Sequence, residues 1–207
     1  MVSTGHLQLD KHLRGYDSLS IIYGQPGTGK TTLAKTCALG FLQNHKKVLY
    51  LDAEHGFRTE RFQQLTGFDP AFLQHLFVLR ISSFSDQEQK IYSLISLAKN
   101  FDLIIIDTIG ALYRKEYAQD IQKTNASMEK QMRVLTEISR TIPVLLTNQV
   151  YSVLAHDKQQ MIGHRYIESW CKQQILLKKE PRVLIQEKPS LQKLFFQIEA
   201  SGFVFEN

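Results

Sequence analysis

The segment IIYGQPGTGKTT, residues 21–32, has the spacing G-x-x-x-x-G-K-[ST]. Its fixed positions are Gly24, Gly29, Lys30 and Thr31. An apolar run of strand character precedes the segment, and apolar residues at helical spacing follow it. A glycine-rich loop between a strand and a helix lets backbone N–H groups surround phosphates, and the helix N-terminus adds partial positive charge. The alternative is a turn that only caps an ordinary helix, and the strand-to-helix context disfavours it.

This glycine-rich loop predicts a site for the phosphates of ATP. We expect the Lys30 ammonium to bind the β- and γ-phosphates and the Thr31 hydroxyl to bind Mg²⁺. The residues expected to contact the nucleotide are Gly24, Gln25, Pro26, Gly27, Thr28, Gly29, Lys30, Thr31 and Thr32.

A second metal ligand is expected at the end of another strand. The segment FDLIIIDT places Asp107 directly after the apolar run Leu103–Ile106. Ligands of parallel sheets bind at the carboxyl edge, which is where Asp107 would lie. Asp102 begins the same strand and therefore lies at the opposite edge. Asp107 is the predicted carboxylate of the Mg²⁺ site.

Hydrolysis also needs a group that accepts a proton from the attacking water. The segment LDAEH follows the apolar run Val48–Leu51 with two carboxylates, Asp52 and Glu54. If this strand neighbours the strand of the glycine-rich loop, its end reaches the same edge of the sheet, and Glu54 is the candidate base. The structural alternative is a buried strand that reaches the surface, where charged residues are ordinary.

Short apolar runs alternate with helix-length segments along the chain. The predicted strands are Leu19–Tyr23, Val48–Leu51, Leu76–Leu79, Leu103–Ile106 and Val144–Thr147. This alternation predicts an α/β fold with a mainly parallel, twisted sheet that carries helices on both faces. Shorter runs near the C-terminal end predict antiparallel strands there, at Gln174–Leu177, Val183–Gln186 and Leu194–Ile198. We expect one domain, residues 1–207.

Composition excludes several classes of protein. With 43% hydrophobic and 22% charged residues, the chain is globular in character. Its two cysteines, Cys37 and Cys171, lack metal-ligand spacing, so a reducing, cytoplasmic location is expected. No membrane segment and no signal segment is expected. A net charge of +5 permits a polyanionic partner without demonstrating one.

The chain resembles the RecA-family recombinases, and among them the short archaeal paralogues that consist of a RecA-like P-loop NTPase core without the N-terminal domain. The segments that carry the resemblance are MVSTGHLQLD, the glycine-rich loop, VLYLDAEHGFRTERF, IIIDTIGALYRKEY, VLLTNQV and GHRYIESWCKQQILLKK. They cover nearly the whole chain in the family's order. A generic P-loop ATPase is the less specific alternative.

The resemblance implies roles for three residues. Glu54 matches the family's water-activating glutamate. Arg61 matches the position that lies against adenine, where a flat guanidinium can stack. Gln149 matches the residue that senses the γ-phosphate and passes its presence to the DNA-binding loop, and considered alone it would be interpreted as a strand-end amide that satisfies a loop. Lys30, Glu54 and Gln149 are thus the expected catalytic residues.

The family's two DNA-loop positions hold few cations in this chain. The candidate DNA contacts are Arg114, Lys115, Lys158, His164 and Arg165. The first loop, EYAQDIQKTNAS, has one Lys and no Gly, and the second loop is short. Few phosphate contacts predict weak, salt-sensitive binding, with single-stranded DNA as the expected form. The alternative is that these residues are solvated loop charges.

The expected function is that of an ATP-binding protein that uses Mg²⁺, hydrolyses ATP slowly and assists recombination and repair. Its expected partners are DNA, a recombinase or another recombination protein, and a homo-oligomer is left open. One alternative is a KaiC-like regulatory ATPase that acts through protein assembly without DNA. Another is a nucleotide-dependent scaffold without useful turnover. Binding to single-stranded DNA across salt concentrations, with and without ATP, distinguishes the first two.

Overall fold

The computed structural model describes residues 2–17, 19–65, 69–153 and 158–206. The strands are β1 Leu19–Gly24, β2 Val48–Asp52, β3 Leu76–Arg80, β4 Leu103–Asp107, β5 Val144–Val153, β6 Lys158–Met161, β7 Gln173–Lys179, β8 Arg182–Lys188, β9 Gln192–Glu199 and β10 Gly202–Phe205. The helices are α1 Leu7–Leu13, α2 Lys30–Leu42, α3 Glu60–Gln64, α4 Phe84–Leu97, α5 Ala111–Tyr117, α6 Ile121–Ile138 and α7 His164–Ile167. Short 3₁₀ segments cover Pro70–His75 and Ala98–Asn100.

These strands form a mixed sheet in the order β10-β9-β8-β7-β1-β5-β4-β2-β3, with β6 paired to β5. Six consecutive strands of this order are parallel to one another, namely β7, β1, β5, β4, β2 and β3. Strands β8 to β10 continue the sheet in antiparallel fashion. The predicted α/β class, with a mainly parallel sheet and antiparallel strands at the C-terminal end, is confirmed.

The central strands are apolar on both faces, because helices cover both. Along β1, Ile21 points into one hydrophobic core and Ile22 into the other. The Ile21 core is completed by α4, α5 and α6, and the Ile22 core by α1 and α2. Near-continuous apolar strands are typical of a parallel sheet that is buried on both sides. The two helical layers hold the sheet between them, so β1, β2, β4 and β5 run parallel toward the same edge.

Two helix starts differ from the simplest sequence expectation. The spacing of Ser85 and Glu88 suggests a capping box, but α4 begins two residues earlier, where the Ser83 hydroxyl accepts a hydrogen bond from the Asp86 N–H. The helical spacing of Met128, Met132 and Leu135 predicts a helix over about residues 125–140. Helix α6 instead begins at Ile121, where the carboxylate of Asp120 accepts from the Lys123 N–H at 3.0 Å. Both caps satisfy N–H groups that the first helical turn leaves unpaired.

Within the described ranges, none of the helices combines the length and the apolar character that crossing a bilayer requires.

Candidate functional site

The glycine-rich loop joins β1 to α2 at the carboxyl edge of the sheet. Gly27 and Gly29 have positive φ values of 77° and 102°, a conformation that side chains other than glycine adopt with strain. A Cβ at Gly29 would also lie 2.6 Å from Cδ1 of Ile198, so the start of α2 packs directly against β9. The Thr28 hydroxyl closes the loop by donating to the Gln25 carbonyl at 2.9 Å. The loop therefore holds the shape of a phosphate cradle by its own contacts.

Lys30 is the first residue of α2 and its side chain folds back over the loop. Its ammonium donates to the carbonyls of Gly24 and Gln25 at 2.9 and 2.8 Å, and only 7% of the residue is exposed. Burial lowers the pKa of Lys30, and the nearby carboxylates of Glu54 and Asp107 oppose that shift. The ammonium thus lies between the loop and the two carboxylates singled out from the sequence.

Asp107 ends β4 and both of its carboxylate oxygens accept hydrogen bonds. Oδ1 accepts from the Thr31 hydroxyl at 3.2 Å and from the Thr147 hydroxyl of β5. Oδ2 accepts from the Tyr50 hydroxyl of β2 at 2.5 Å. Burial raises the pKa of Tyr50, so the phenol stays a donor. The strands on either side of β4 therefore hold this carboxylate against the glycine-rich loop.

The two carboxylates of LDAEH have different surroundings. Asp52 is buried and accepts from the backbone N–H groups of Gly56 and Phe57 at 3.2 and 2.9 Å, so it shapes the loop that follows β2. Glu54 is exposed, and its Oε1 accepts from the Gln149 amide at 2.6 Å and from the Thr108 hydroxyl at 3.2 Å. Thr108, directly after β4, and Gln149, from the middle of β5, therefore meet at Glu54, which follows β2.

A cavity open to solvent adjoins the contact between Glu54 and Gln149. An open cavity of about 770 Å³ has Glu54 and Gln149 in its lining, together with Arg114 and Lys115 of α5. We call it the Glu54 cavity. A carboxylate at the wall of a water-accessible cavity is positioned to accept a proton from a water molecule.

The donor set fits ATP and Mg²⁺. Mg²⁺ is commonly held by one hydroxyl or carboxylate from the protein, phosphate oxygens and water, rather than by a cage of carboxylates. Thr31 and Asp107 provide such a pair, with their oxygens 3.2 Å apart. Among the described residues there is no cluster of three or more His, Cys, Asp or Glu side chains of the kind that holds a metal alone.

The sequence profile of the Rad51 family matches residues 1–199. The chain belongs to the Rad51 family. A DNA repair and recombination protein RadB from Methanococcus maripaludis is 34% identical over 172 residues, which is 80% of this chain and 78% of that protein. The protein of the same name from Thermococcus gammatolerans is 34% identical and covers 98% of this chain and 97% of its own length. The resemblance to the recombinases is confirmed.

A solved structure agrees with this assignment. A crystal structure of the RadB recombinase has a TM-score of 0.79 to this Rad51-family chain, with 30% sequence identity and coverage of 98% of both chains. The match therefore covers nearly the whole of both chains.

Arg61, expected at the adenine ring, is engaged elsewhere in this Rad51-family chain. Its guanidinium donates to the carbonyl of Ala200 and to the side chain of Gln64, both at 3.1 Å, and more weakly to the carbonyl of Glu199 at 3.5 Å. Arg61 therefore ties α3 to the turn between β9 and β10. A stacking role stays a prediction.

The expected DNA contacts divide between two cavities. Lys115 lines the Glu54 cavity, while His164 and Arg165 of α7 line a second open cavity of about 710 Å³, and Arg114 lines both. The backbone of Lys158 pairs with Val153 in the β5–β6 hairpin, and its side chain lies outside the described part of the structure. The described cations are therefore divided between two cavities that share Arg114.

The second cavity holds residues that sequence reasoning missed. Four tyrosines line it, Tyr113, Tyr117, Tyr151 and Tyr166. We call this cavity the aromatic cleft. The spacing of Tyr113 and Tyr117 within YRKEY places them one helical turn apart and was the available signal. The other two come from distant segments and gave no such signal.

Asn148 is a second missed residue, and it links the two cavities. Its buried amide donates to the Ile162 carbonyl at 2.7 Å and accepts from the Gln149 N–H at 2.9 Å. Ile162 in turn donates its N–H to the Gln149 carbonyl at 2.9 Å and lines both cavities. Gln149, which contacts Glu54, is therefore hydrogen-bonded to Ile162 in the wall of the aromatic cleft.

Proposed function

We propose that this chain binds ATP with Mg²⁺ at the loop between β1 and α2, hydrolyses ATP slowly, and acts as an accessory protein in DNA repair and recombination. Residues 1–207 act in this proposal as one RecA-like ATPase domain. The observation that carries the proposal is the contact between Glu54, two residues after β2, and Gln149, which pairs with Gly24 from within β5. The names of the RadB relatives supply the repair and recombination setting.

Glu54 is the general base of the proposed reaction. Both of its described donors, Gln149 and Thr108, bond to Oε1, and no described donor reaches Oε2. The second oxygen is thus available to accept a proton from a water that approaches through the Glu54 cavity. A positioned base of this kind accelerates proton transfer by about 10²- to 10⁴-fold.

In this proposal Lys30 binds phosphate, and Thr31 and Asp107 bind Mg²⁺. The Lys30 ammonium exchanges two loop carbonyls for phosphate oxygens, which are stronger acceptors because they carry charge. Thr31 and Asp107 would hold Mg²⁺, which when bound neutralises phosphate charge. Tyr50 and Thr147 keep the carboxylate of Asp107 oriented toward this position.

The Gln149 amide is the group that can respond to the γ-phosphate in this arrangement. The Gln149 amide donates to the carboxylate that must act as base, and an amide at that position can instead donate to a γ-phosphate oxygen. The base is therefore freed when phosphate draws Gln149 away. The backbone of Gln149 is also hydrogen-bonded to Asn148 and to Ile162, and Ile162 lines the aromatic cleft.

Nucleic acid is the proposed second ligand, bound as single strands at the aromatic cleft and its cations. A recombinase or another recombination protein is a further proposed partner, and so is a second copy of this chain. The sheet edge that carries the nucleotide loop also carries α5 and α7, so the two ligands lie near each other.

The substitution Glu54→Gln tests the proposal. The amide keeps the shape of the side chain and cannot accept the proton, so steady-state ATP hydrolysis should fall at least about 100-fold while the affinity for a fluorescent ATP analogue changes little. Glu60→Gln, at an exposed position of α3, is the matched control and should retain turnover. Normal hydrolysis by the Glu54→Gln protein would contradict the assignment.

A further inference from the structure

Helix α2 carries a second buried lysine, Lys35, one helical turn after Thr31 and on the same face. Only 2% of Lys35 is exposed. Within the described residues, its ammonium forms no salt bridge and donates no hydrogen bond to an oxygen. Burying an ammonium without such a partner costs stability, and a methionine of similar length would not carry that cost.

The contacts of the Lys35 ammonium are aromatic. Its Nζ lies 4.9 Å from the ring centroid of Phe57 and 5.9 Å from that of Phe62. The two ring centroids are 5.4 Å apart, and Phe57 also packs edge-on against Tyr50 of β2 at 5.0 Å. A cation over a ring face is attracted by the electron density of the ring, and more strongly when water is excluded. Lys35 therefore joins α2 to this pair of rings.

The two rings belong to the part of the chain that carries the proposed base. Residues 53–59 connect β2 to α3, and we call them the Glu54 segment. Phe57 lies within the segment and Phe62 lies in α3 directly after it. At the start of the segment, the buried Asp52 carboxylate accepts from two backbone N–H groups, one of them that of Phe57. The position of Glu54 thus depends on how this segment is held.

The charges around Lys35 have both signs. Burial is the largest cause that lowers the pKa of Lys35, the carboxylates of Asp107 and Asp52 oppose that shift, and Arg61 and Arg58 add to it. The carboxylates favour the charged form of the lysine, which the attraction to the rings requires. Arg58 lies in the Glu54 segment and Arg61 in α3, so their charges repel Lys35. The contact between α2 and the segment is therefore made by the rings.

We propose that Lys35 is a positioning residue for ATP hydrolysis, which holds the Glu54 segment against the helix that carries Lys30 and Thr31. This inference rests on the proposed function, because it takes Glu54 as the base. Proton transfer from water requires the base and the phosphate-binding groups at a fixed separation, and a misplacement of about 1 Å can cost about 100-fold in rate. Lys35 sets that separation from the side of α2.

The substitution Lys35→Met tests the proposal, because it keeps the length of the side chain and removes the charge. The kcat for ATP hydrolysis should fall at least about tenfold, while KM and the affinity for a fluorescent ATP analogue stay within about twofold. The urea midpoint of unfolding should rise, because a buried charge is removed. A residue with only a structural role would not combine slower turnover with higher stability.

Two further variants assign the effect to the ring contact. Phe57→Leu removes the closer ring and keeps an apolar side chain, so adding Lys35→Met to this variant should cause no further loss of turnover. Lys46→Met is the matched control, because the Lys46 Nζ lies over the Phe41 ring at 5.4 Å, beyond the C-terminal end of α2. The Lys46→Met protein should retain the natural turnover.

Hydrogen exchange measures the position of the segment without any turnover. The N–H groups of Gly56 and Phe57 are bonded to Asp52. They should exchange at least about tenfold faster in the Lys35→Met protein, because the segment opens more often when its contact with α2 is lost. The exchange of the same two groups should be unchanged in the Lys46→Met protein.

The outcomes separate this inference from the proposed function. Natural turnover in the Lys35→Met protein, while Glu54→Gln abolishes hydrolysis, would overturn the positioning role and leave the proposed function in place. Slower turnover together with a lower urea midpoint and weaker ATP binding would also overturn it, since Lys35 would then only support the fold. Absence of hydrolysis by the natural protein would overturn the proposed turnover and the positioning role with it.

Discussion

The glycine-rich loop and the aromatic cleft lie at the same edge of the sheet and differ in the burial and hydrogen bonding of their side chains. At the loop, Lys30 and Asp107 are 7% and 6% exposed and their polar atoms are already hydrogen-bonded. At the cleft, ring faces are open and the charges are few. A ligand at the loop must replace existing hydrogen bonds of these side chains, whereas a ligand at the cleft covers ring surface that is exposed to solvent.

This difference predicts different responses at the two ends. The loop should be intolerant of changes in single polar atoms, because each unpaired buried group is costly. The cleft should tolerate loss of a hydroxyl and respond to loss of a ring. Substitutions at the loop should therefore leave ligand binding at the cleft unchanged, and the reverse, except at residues that connect the two.

Lys30→Ala should have the largest effect. Removal of the ammonium deletes charge-assisted bonds to phosphate, so ATP affinity should fall by roughly 100-fold, about 2.7 kcal/mol. Oligonucleotide affinity measured without nucleotide should stay within about twofold, because the cleft does not use Lys30. Titration with a fluorescent ATP analogue and anisotropy on the same preparation measure both. Unchanged ATP affinity in folded protein would remove the nucleotide site from the account.

Tyr50→Phe should be next, and it acts on stability as well as on the site. Loss of the phenol leaves Oδ2 of the buried Asp107 without its donor, which should cost about 1.5–3 kcal/mol in the free energy of unfolding. Urea denaturation followed by circular dichroism measures this. Tyr92→Phe, which removes an exposed hydroxyl from α4, is the control and should change stability by less than about 0.5 kcal/mol. Equal stability of the Tyr50→Phe protein and the natural protein would show that Thr147 and Thr31 suffice to hold Asp107.

Gln149→Ala should break the connection between the two ends with a moderate effect. Without the amide, phosphate has nothing to draw away from Glu54, so oligonucleotide affinity should become the same with and without a non-hydrolysable ATP analogue. Couplings between sites are typically about 5- to 150-fold, and that ratio should fall to about one. Persistence of a nucleotide effect in this variant would place the coupling in another residue.

Arg165→Ala should have the smallest effect. If this guanidinium neutralises one phosphate, the slope of log affinity against log salt should decrease in magnitude by about 0.7 for a single strand. ATP affinity should be unchanged. Lys99→Ala, at the opposite edge of the sheet, is the control and should leave the slope as it is. An identical slope after Arg165→Ala would identify the residue as a solvated charge.

Much of the nucleotide end could be predicted because its residues are contiguous or end a strand. The glycine-rich loop is one segment, and Asp107 and Glu54 follow apolar runs whose carboxyl ends meet at one edge of a parallel sheet. The supporting donors Tyr50 and Thr147 could not be found in this way, because they reach Asp107 only through the order β5-β4-β2. Local patterns do not specify which strands are neighbours.

The start of α4 shows a limit of local spacing. Ser83 and Ser85 each have an acidic residue three positions later, so the sequence offers two caps. The helix begins after Ser83, which puts Phe84 and Ile91 into the core. Long-range contacts decide such cases, and the same is true of Arg61, whose partners Ala200 and Glu199 lie far along the chain.

The aromatic cleft was beyond sequence reasoning for the same reason. Tyr151 and Tyr166 are separated from Tyr117 by tens of residues and by the change from α5 to the β5–β6 hairpin and α7. An expectation based on cations alone predicted weak, salt-sensitive DNA binding. The structure adds exposed ring surfaces beside these cations, which the sequence did not indicate.

The central claim is that one edge of this Rad51-family chain binds ATP and single-stranded DNA and couples the two. The most direct test is the affinity of the natural protein for a labelled oligothymidylate at low salt, with Mg²⁺ and with or without a non-hydrolysable ATP analogue. The account predicts binding in both states and a change of at least about fivefold with the analogue. Equal affinities in the two states would contradict the coupling, and absence of binding in both would favour a KaiC-like ATPase that acts through protein assembly.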